Sequence, residues 1–364
     1  MRVIAKLTIV ILPLVLSCST QHKESNLEDL KLKNFRPKSV YNIQKTLIEN
    51  ASFPIIDMHS HDYASSKQEI EQWVRTMKKM GIEKTVILSY QTGNGFDSIV
   101  NKYSQYPQEF EIWCGIDYTG YDTDPKWAEN ACLELERCYN AGARGVGELG
   151  DKGEGLFYSK PTKAYGMHCD NPGMDIVWAK CAELGMPVNI HIAEPIWMYE
   201  PMDSTNDGLM NSHQWRIDLT KEGILDHAEL IQTLENAVKR NPNTTFIACH
   251  FANCSYDLNI LANLLDKYPN LYADNSARYA ETAPIPRHVK AFYEKYQDRI
   301  IYGTDMGMNE EMYKITFRIL ESDDEHFYET EQFGYHWALN GFDLSDSTLE
   351  KVYKSNALKV LNTN

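Results

Sequence analysis

The sequence has little positive charge and a single long hydrophobic run. Lysine and arginine together number 36 against 51 acidic residues, and the formal net charge over 364 residues is −15. No local cluster of basic residues offsets this excess, so the surface repels the phosphate backbone of a nucleic acid. The one long apolar run, residues 7–16, excludes a protein that crosses a membrane many times. We expect a folded globular chain whose partner is a small-molecule substrate, with no binding to nucleic acid.

Cysteine pairs of the kind found in zinc ribbons and disulfide frameworks are also absent. The chain has eight cysteines, and no two of them are spaced as C-x-x-C. Seven follow Cys18, and this odd number does not indicate a disulfide framework. Cys114 and Cys249 lie in apolar stretches, where a buried thiol is the simplest interpretation. We therefore predict no chemistry for these seven residues.

The N-terminus has the three parts of an export signal. Arg2 and Lys6 supply positive charge, residues 7–16 are apolar, and Ser17 is a small residue directly before Cys18. Ten apolar residues are too few to cross a bilayer core of about 30 Å as a helix. The segment is therefore interpreted as a signal and not as a membrane anchor.

The end of this signal predicts where the mature chain begins. The run VLSC at residues 15–18 resembles a bacterial lipobox, which implies that Cys18 is acylated; a plain secretory signal is the alternative. We predict a lipoprotein-type signal peptide over residues 1–17, a polar tether over 18–50 and a catalytic domain over 51–364. The expected location is the cell envelope, at the periplasmic or outer-membrane face, with membrane contact only through the lipid.

Beyond residue 50 the sequence alternates short apolar runs with longer helical patterns. The predicted strands are 54–58, 85–89, 112–116, 143–148, 187–191, 245–250, 271–274 and 299–302. The predicted helices are 68–80, 97–104, 125–141, 173–184, 226–240, 257–267 and 287–297. Gly81, Gly142 and Gly185 follow helices and lead directly into strands, as helix-ending glycines do. This alternation predicts a parallel sheet covered by helices.

The number and spacing of the strands favour a closed barrel. Eight strands within about 250 residues are typical of a (β/α)8 fold. An open doubly wound sheet is the alternative, but its glycine-rich turn is absent: residues 58–61 read MHSH. We predict an α/β TIM barrel, with further helices over 308–320 and 346–361. Long loops are expected after strands four and five, over 149–172 and 192–225, where such barrels form substrate pockets.

Histidines and carboxylates gather at the predicted carboxyl ends of the strands. The residues at these ends are His59, His61, Glu148, His191, His250 and Asp305. Four of the 11 histidines in the chain thus fall at the ends of three strands. One such histidine alone is more often structural, but these ends converge on a single mouth in a barrel. Imidazole and carboxylate suit zinc or a similar divalent ion, so the set predicts a metal site.

The same residues carry a resemblance to a known family. The string IIDMHSH at residues 55–61, with the later strand-end histidines and Asp305, resembles the amidohydrolase superfamily. More narrowly, it is similar to the amidohydrolase-related family that includes aminocarboxymuconate-semialdehyde decarboxylase and several lactone and amide hydrolases. The segments YGTD at 302–305 and VYKSNA at 352–357 are similar to that family's eighth strand and closing helix. The resemblance covers about residues 53–361 and implies a TIM-barrel enzyme.

This resemblance also implies a role for each strand-end residue. His59, His61 and His191 would be metal ligands, and Asp305 would be a catalytic carboxylate that contacts the metal and moves the proton of a bound water. His250 would either bind a second ion or polarise the carbonyl of the substrate. The expected cofactor is a divalent metal, with zinc as our choice, although manganese and iron take the same ligands.

Glu148 leaves the number of ions open. The run GELG at 147–150 resembles the Gly-Glu-Ile-Gly of two-metal superfamily members, in which the glutamate bridges the ions. In a bridged site the first ion would be held by His59, His61 and Asp305, and the second by His191 and His250. The alternative is a Glu148 that hydrogen-bonds a ligand histidine or a neighbouring loop. We predict at least one ion and leave the second open.

Three residues are predicted to contact the substrate. Trp197 belongs to an aromatic loop after strand five, although such a loop can also form a small satellite core. Asn253 and Arg278 follow strands six and seven and could hold polar or anionic groups, with a surface ion pair as the alternative for Arg278. Asp57 and Asp274 are expected to orient ligand side chains through hydrogen bonds.

Three classes of function fit this site. The first hypothesis is a metal-dependent hydrolase, in which water attacks an amide, ester or lactone carbonyl of a small extracellular compound. The second is a metal-dependent, non-oxidative decarboxylase with the same ligands and with Arg278 holding the carboxylate. The third is a non-catalytic surface binding protein, although every expected ligand position is filled. A phosphoesterase acting on nucleic acid is disfavoured by the net charge. The sequence leaves the oligomeric state open, and a homo-oligomer is one of the possibilities.

Overall fold

A computed structural model describes residues 26–158 and 160–361. The chain divides into two units, Met1–Phe35 and Arg36–Asn364. The predicted signal peptide and Cys18 lie outside the described residues. In the first unit the described residues form two short 3-10 turns, Leu27–Asp29 and Leu32–Asn34. Among the helices that the structure describes, none has the length and apolar content needed to cross a bilayer.

In the described part of the second unit, the structure has eight parallel strands, and this confirms the predicted number. In chain order β1 to β8 are Ile55–Ser60, Ile82–Leu88, Phe110–Trp113, Val146–Asp151, Val188–Ile192, Phe246–Ala248, Leu271–Asp274 and Ile300–Ile301. Neighbours pair in parallel from β1 to β3 and from β4 to β8.

Two contacts close this sheet into a barrel. A parallel bridge between Cys114 and Val146 joins β3 to β4. The amide of Met58 donates to the carbonyl of Tyr302 at 3.0 Å, which joins β1 to β8. The sheet therefore has no free edge along its main strands, and the predicted (β/α)8 barrel is confirmed.

Helices alternate with the strands as the sequence predicts. The helices are Lys67–Met80, Gly93–Tyr103, Trp127–Asn140, Met174–Glu183, Leu209–Ser212, His227–Arg240, Leu258–Lys267, Tyr279–Thr282, Pro286–Lys295, Glu310–Glu321, Asp346–Glu350 and Asn356–Val360. Asp226 and Glu229 form a reciprocal capping box at the start of one of them. Gly81 ends another with a left-handed φ of 83°. The predicted last helix, 346–361, is interrupted by a π-helical turn at Lys351–Ser355.

The hydrophobic core explains why the strands read as apolar runs. All six residues of β1 and all five of β5 are buried, as expected for parallel strands covered on both faces. A separate apolar cluster joins Met58, Trp113 and Ile301 to Ala357 and Val360 of the C-terminal helix. The barrel is thus a packed body, and the carboxyl ends of its strands are left to form a site.

Long segments cover that end of the barrel. The loop after β4 contains a small antiparallel hairpin, Gly155–Leu156 with Ala164–Tyr165. The loop after β5 contains a 3-10 turn, Ile196–Met198, and a short helix, Leu209–Ser212. Both long loops were predicted. A third segment, 322–345, also covers this end and was not predicted. Within its described residues Phe327 and Leu339 form an isolated antiparallel β-bridge.

Candidate active site

Two strand ends bring His59, His61 and Asp305 together. The Nε2 atom of His61 lies 2.9 Å from Oδ1 of Asp305, and Nε2 of His59 lies 3.6 Å from the same oxygen. One ligand atom from each residue falls within 4.8 Å of the other two. Three donors at this spacing can hold a divalent ion.

A second, deeper group shares His59. It consists of His59, Glu148, Cys249 and His250, whose ligand atoms also lie within 4.8 Å of one another. Glu148 is central: its Oε1 is 3.4 Å from Nε2 of His250, and its Oε2 is 3.5 Å from Nε2 of His61. Glu148 lies inside β4 rather than at its end, because the strand runs on to Asp151. We had assigned no chemistry to Cys249, and its thiol donates to Oδ1 of Asn189 at 2.6 Å.

His191 contacts Glu148 and belongs to neither group of candidate ligands. Its Nδ1 lies 2.6 Å from Oε1 of Glu148, while its Nε2 lies 3.8 Å from Oε2 of Glu194. All six predicted ligands therefore lie at the mouth of the barrel. His191 reaches the two groups through Glu148 and is not a member of either.

Hydrogen bonds at Nδ1 orient His59, His61 and His250. His59 Nδ1 pairs with Oδ2 of Asp274 at 2.9 Å, and His61 Nδ1 donates to the carbonyl of Leu88 at 2.9 Å. His250 Nδ1 donates to the carbonyl of Ser276 at 2.9 Å. These contacts leave each Nε2 directed at the carboxylates, which is how histidine ligands are commonly prepared for a metal.

Two buried nitrogen atoms show that the site fits a cation. Nε2 of His59 and Nε2 of His191 are buried without a hydrogen-bond partner among the described residues. A buried polar atom without a partner costs free energy, so such atoms call for an explanation. Imidazole nitrogens beside carboxylates are a donor set that divalent metals accept, and the residues present therefore fit a divalent ion.

The electrostatics of the cluster favour positive charge. Burial alone would lower the pKa of His59, but Asp274 and Asp305 outweigh it and raise that pKa to about 10. Burial would raise the pKa of Asp305, but His59 and His61 hold it below its usual range. The pKa of Glu148 is lowered in the same way, against burial, by His191 and His250. A divalent ion would therefore compete with protons for these histidines.

An unusual backbone turn presents His250. Residues His250, Phe251, Ala252 and Asn253 have φ values of 57°, 54°, 52° and 55°, all in the left-handed region. This conformation costs residues other than glycine about 1–2 kcal/mol each. Side-chain contacts hold the turn: Asn253 Nδ2 donates to the carbonyls of Ile192 and Ala193 at 3.0 and 3.2 Å. The predicted strand 245–250 therefore ends early, at Ala248, and strain is concentrated at the site.

A cavity of about 700 Å³ opens above the cluster. Its aromatic lining consists of Tyr90, Phe157, Tyr158, Trp215, Phe333 and Tyr335. Tyr90 stacks on His61 with ring centroids 4.9 Å apart. A cavity of this size with an aromatic wall and a few charged groups is typical of a small-molecule site.

The predicted substrate residues occupy different positions. Arg278 lines the cavity, and its Nε donates to Oδ1 of Asn253 at 2.8 Å. Asn253 is absent from the cavity wall and holds Arg278 from behind. Trp197 is not one of the described residues that line the cavity. Its ring packs on Trp337 instead, with the two ring centroids 5.7 Å apart. Trp215, from the same long loop, takes the place in the wall that we had predicted for Trp197.

Further charged residues in the wall were missed from the sequence. Lys152 forms an ion pair with Glu194, and Nη1 of Arg278 lies 3.4 Å from Oε1 of Glu281. Lys152 directly follows β4, and Glu194 lies three residues beyond His191. Both positions follow the carboxyl end of a strand, so the rule used for the ligands could have predicted them as well. Glu281 lies in a short helix that the sequence did not predict.

Comparisons with known proteins bear on the family and the fold of the chain. The family model described as Amidohydrolase matches residues 110–363. No match was found among curated proteins. In the search of solved structures, 2,6-dihydroxybenzoate decarboxylase from Rhizobium is 16% identical with a TM-score of 0.51, and covers 85% of this chain and 99% of that one.

Two other solved structures are similar. The dihydroxybenzoic acid decarboxylase of Polaromonas sp. JS666, with bound manganese, is 15% identical with a TM-score of 0.53, over 85% of this chain and 97% of that one. The 5-carboxyvanillate decarboxylase of Novosphingobium aromaticivorans, complexed with manganese, is 13% identical with a TM-score of 0.52. The match covers 87% of this chain and 100% of that one. Likeness at these identities shows the fold.

These neighbours correct the hydrolase hypothesis. The three structures are described as decarboxylases, and none of the three is described as a hydrolase. Our prediction that water attacks an amide, ester or lactone carbonyl was therefore wrong. A Glu148 that bridges two ions would have favoured hydrolysis, and in the structure this residue pairs with His191 at 2.6 Å.

Proposed function

Because the chain belongs to the amidohydrolase family, we propose that it is a metal-dependent, non-oxidative decarboxylase of an aromatic carboxylate. One observation carries the proposal: buried imidazoles with unpartnered Nε2 atoms lie at the floor of an aromatic-walled cavity that also contains Arg278. The imidazoles and carboxylates supply a metal site, the rings suit a planar substrate, and the guanidinium suits a carboxylate.

The proposed metal centre holds one ion. His59 is common to both groups of candidate ligands, and its single free nitrogen, Nε2, binds only one ion at a time. We assign His59, His61 and Asp305 as ligands, with Glu148 and His191 adjacent. Zinc and manganese share these donors, and manganese is bound in two of the structural neighbours. When bound, such an ion acts as a Lewis acid that polarises an oxygen of the substrate.

Arg278 is proposed to hold the carboxylate that leaves. Asn253 fixes the guanidinium from one side, and Glu281 contacts it from the other. Burial outweighs the attraction of Arg278 and raises the pKa of Glu281, while the guanidinium of Arg278 itself lines the cavity. A substrate carboxylate can therefore form charge-assisted hydrogen bonds with Arg278.

Asp305 is proposed to move the proton. Decarboxylation breaks the bond between the ring carbon and the carboxylate, CO₂ leaves, and the electron pair stays on carbon. That carbon then takes a proton, which would come from water and pass through the Asp305 carboxylate. The Asp305 side chain keeps 21% of its surface accessible, against 4% for Glu148, so among these two acids it is the one that reaches substrate and solvent. His250 lines the cavity beside it and would orient the substrate by a hydrogen bond.

Release of CO₂ tests this proposal. Purified protein reconstituted with Mn²⁺ or Zn²⁺ would be incubated with 2,6-dihydroxybenzoate, 5-carboxyvanillate and related aromatic acids, and CO₂ would be measured directly. The Arg278→Gln variant should raise KM by about 10- to 100-fold, since a hydrogen bond to a charged group contributes about 1.5–3 kcal/mol. Arg287→Gln, on an exposed part of a helix, is the matched control and should behave as wild type. Cleavage of amides or lactones without CO₂ from any acid would contradict the proposal.

A further inference from the structure

The cavity wall is rich in basic side chains, although the chain as a whole is acidic. The protein carries a net charge of −15, yet four basic side chains line this one cavity: Lys152, Lys160, Lys163 and Arg278. In an acidic chain, four cations in one cavity indicate attraction of anions. The question is which of these charges are already neutralised by partners.

Two of the four have acidic partners in the wall. Lys152 pairs with Glu194 and stands over the rings of Tyr158 and Trp215, with Nζ 5.4 and 5.1 Å from their centroids. Arg278 has Glu281 within 3.4 Å. These groups hold their cations in place and offset part of their charge.

Lys160 and Lys163 have no such partner. Within residues 26–158 and 160–361, neither ammonium group makes an ion pair or a side-chain hydrogen bond. The two acids that remain in the wall, Glu148 and Asp305, lie in the histidine cluster, where a divalent ion would offset them. Two positive charges at the mouth are therefore left without a counter-charge.

Hydrogen bonds of its backbone hold Lys160 in place. The amide of Lys160 donates to the carbonyl of Tyr90 at 3.0 Å, and Oγ1 of Thr92 donates to the carbonyl of Lys160 at 2.9 Å. The segment is thus tied to the loop after β2. Lys160 and Lys163 reach the cavity wall from the loop after β4, and Arg278 reaches it from the segment after β7, so the two kinds of cation come from different parts of the barrel mouth.

We propose that Lys160 and Lys163 form a subsite for a second anionic group of the substrate. This inference rests on the proposed function, in which Arg278 and the metal bind the carboxylate that leaves. The substrate is then an aromatic dianion, with the reacting carboxylate at the floor and a further acidic group at the mouth. The aromatic rings between these two ends contact the flat body of such a molecule.

Binding of two simple probes tests the subsite without turnover. Benzoate and isophthalate have the same ring and differ in one carboxylate, and their affinities for protein loaded with Mn²⁺ can be measured by calorimetry. We expect isophthalate to bind about three- to tenfold more tightly, because two partly exposed pairs contribute up to about 1 kcal/mol each. The preference should shrink at raised ionic strength, since exposed charges are screened.

Variants assign the preference to these lysines. Lys160→Gln with Lys163→Gln should bring the two affinities to within about twofold of each other, and mainly by weakening isophthalate. Lys126→Gln with Lys239→Gln removes the same charge from exposed positions outside the cavity wall and should keep the wild-type preference. The subsite is overturned if the preference for isophthalate remains in the Lys160→Gln, Lys163→Gln variant. It is also overturned if the wild-type protein shows no such preference or binds neither probe. Because no CO₂ is measured here, loss of the preference and absence of decarboxylation are separate results.

Discussion

Glu148 and His191 form a close buried pair, with Oε1 of the glutamate 2.6 Å from Nδ1 of the histidine. The two residues come from neighbouring strands, β4 and β5, which pair in parallel so that Gly150 lies opposite His191. Both side chains are buried, at 3% and 6% exposure. The contact uses the oxygen of Glu148 that a bridging role would need for a second ion. This contact is the basis for our proposal that Glu148 supports the ligands of a single ion.

Metal content should therefore change little when Glu148 is replaced. We expect one ion per chain in wild type and one in Glu148→Gln at saturating metal, with affinity lowered about 10- to 100-fold as for other residues that support ligands. Elemental analysis after dialysis, with a titration of the apo protein, measures both quantities. Two ions in wild type that fall to one in the variant would show that Glu148 bridges them.

Replacement of Asp274 tests how His59 is oriented. Asp274 is fully buried, and its Oδ2 pairs with Nδ1 of His59 at 2.9 Å while its Oδ1 accepts from the amide of His250 at 2.9 Å. Asp274→Asn keeps the shape but removes the charge, so we expect metal affinity to fall by about 10- to 100-fold. Asp257→Asn, at a half-buried helix cap outside the ligand cluster, is the control and should leave metal affinity unchanged. Equal affinity in Asp274→Asn and wild type would contradict the assignment.

The sequence predicted the barrel because buried parallel strands read as apolar runs. The strand at 271–274 was predicted with the bounds it has, and the others within about three residues. His59, His61, His250 and Asp305 were found because strand ends converge in a barrel, a rule that needs no knowledge of loop geometry.

Loop residues were not predictable in the same way. Glu281 and Tyr335 reach the cavity from segments without hydrophobic periodicity, and the hydrogen bond of 2.6 Å between them joins parts of the chain 54 residues apart. The direction of Trp197 depends on the packing of its loop against Trp337. The left-handed turn over residues 250–253 contains no glycine that would have predicted it, and Cys249, directly before that turn, was not predicted to join the ligand cluster.

A glycine next to His59 should be intolerant of any side chain. A Cβ at Gly303 would lie 2.6 Å from Cβ of His59 and 3.3 Å from its backbone nitrogen, neither of which can move away easily. We expect Gly303→Ala to lower the free energy of unfolding by about 1–3 kcal/mol, as overpacking does, and to weaken metal binding. Thermal unfolding of the apo protein and a metal titration separate the two effects.

Gly95→Ala is the matched control for this substitution. The nearest atom to its added Cβ is Oε1 of Gln91, at 2.5 Å, and this flexible side chain can turn away. Gly95 lies within the helix Gly93–Tyr103, where alanine is favoured over glycine by about 1 kcal/mol. Stability equal to or above wild type is expected for this control. A Gly303→Ala protein with wild-type stability and affinity would show that β1 and β8 are less tightly packed than described.

The pair of half-buried His168 and buried Asp151 should make stability depend on pH. Burial alone would lower the pKa of His168, but its hydrogen bond to the carboxylate of Asp151, at 2.7 Å, outweighs this and raises that pKa above 6.5. Since the folded state binds the proton more tightly than the unfolded chain, the stabilisation is complete below about pH 6.5 and is lost as pH rises through the raised pKa. Urea unfolding across this range, for wild type and His168→Gln, measures it. The difference in stability between the two proteins should be largest at the acid end and shrink with rising pH; a constant difference would mean that His168 stabilises the fold by packing alone.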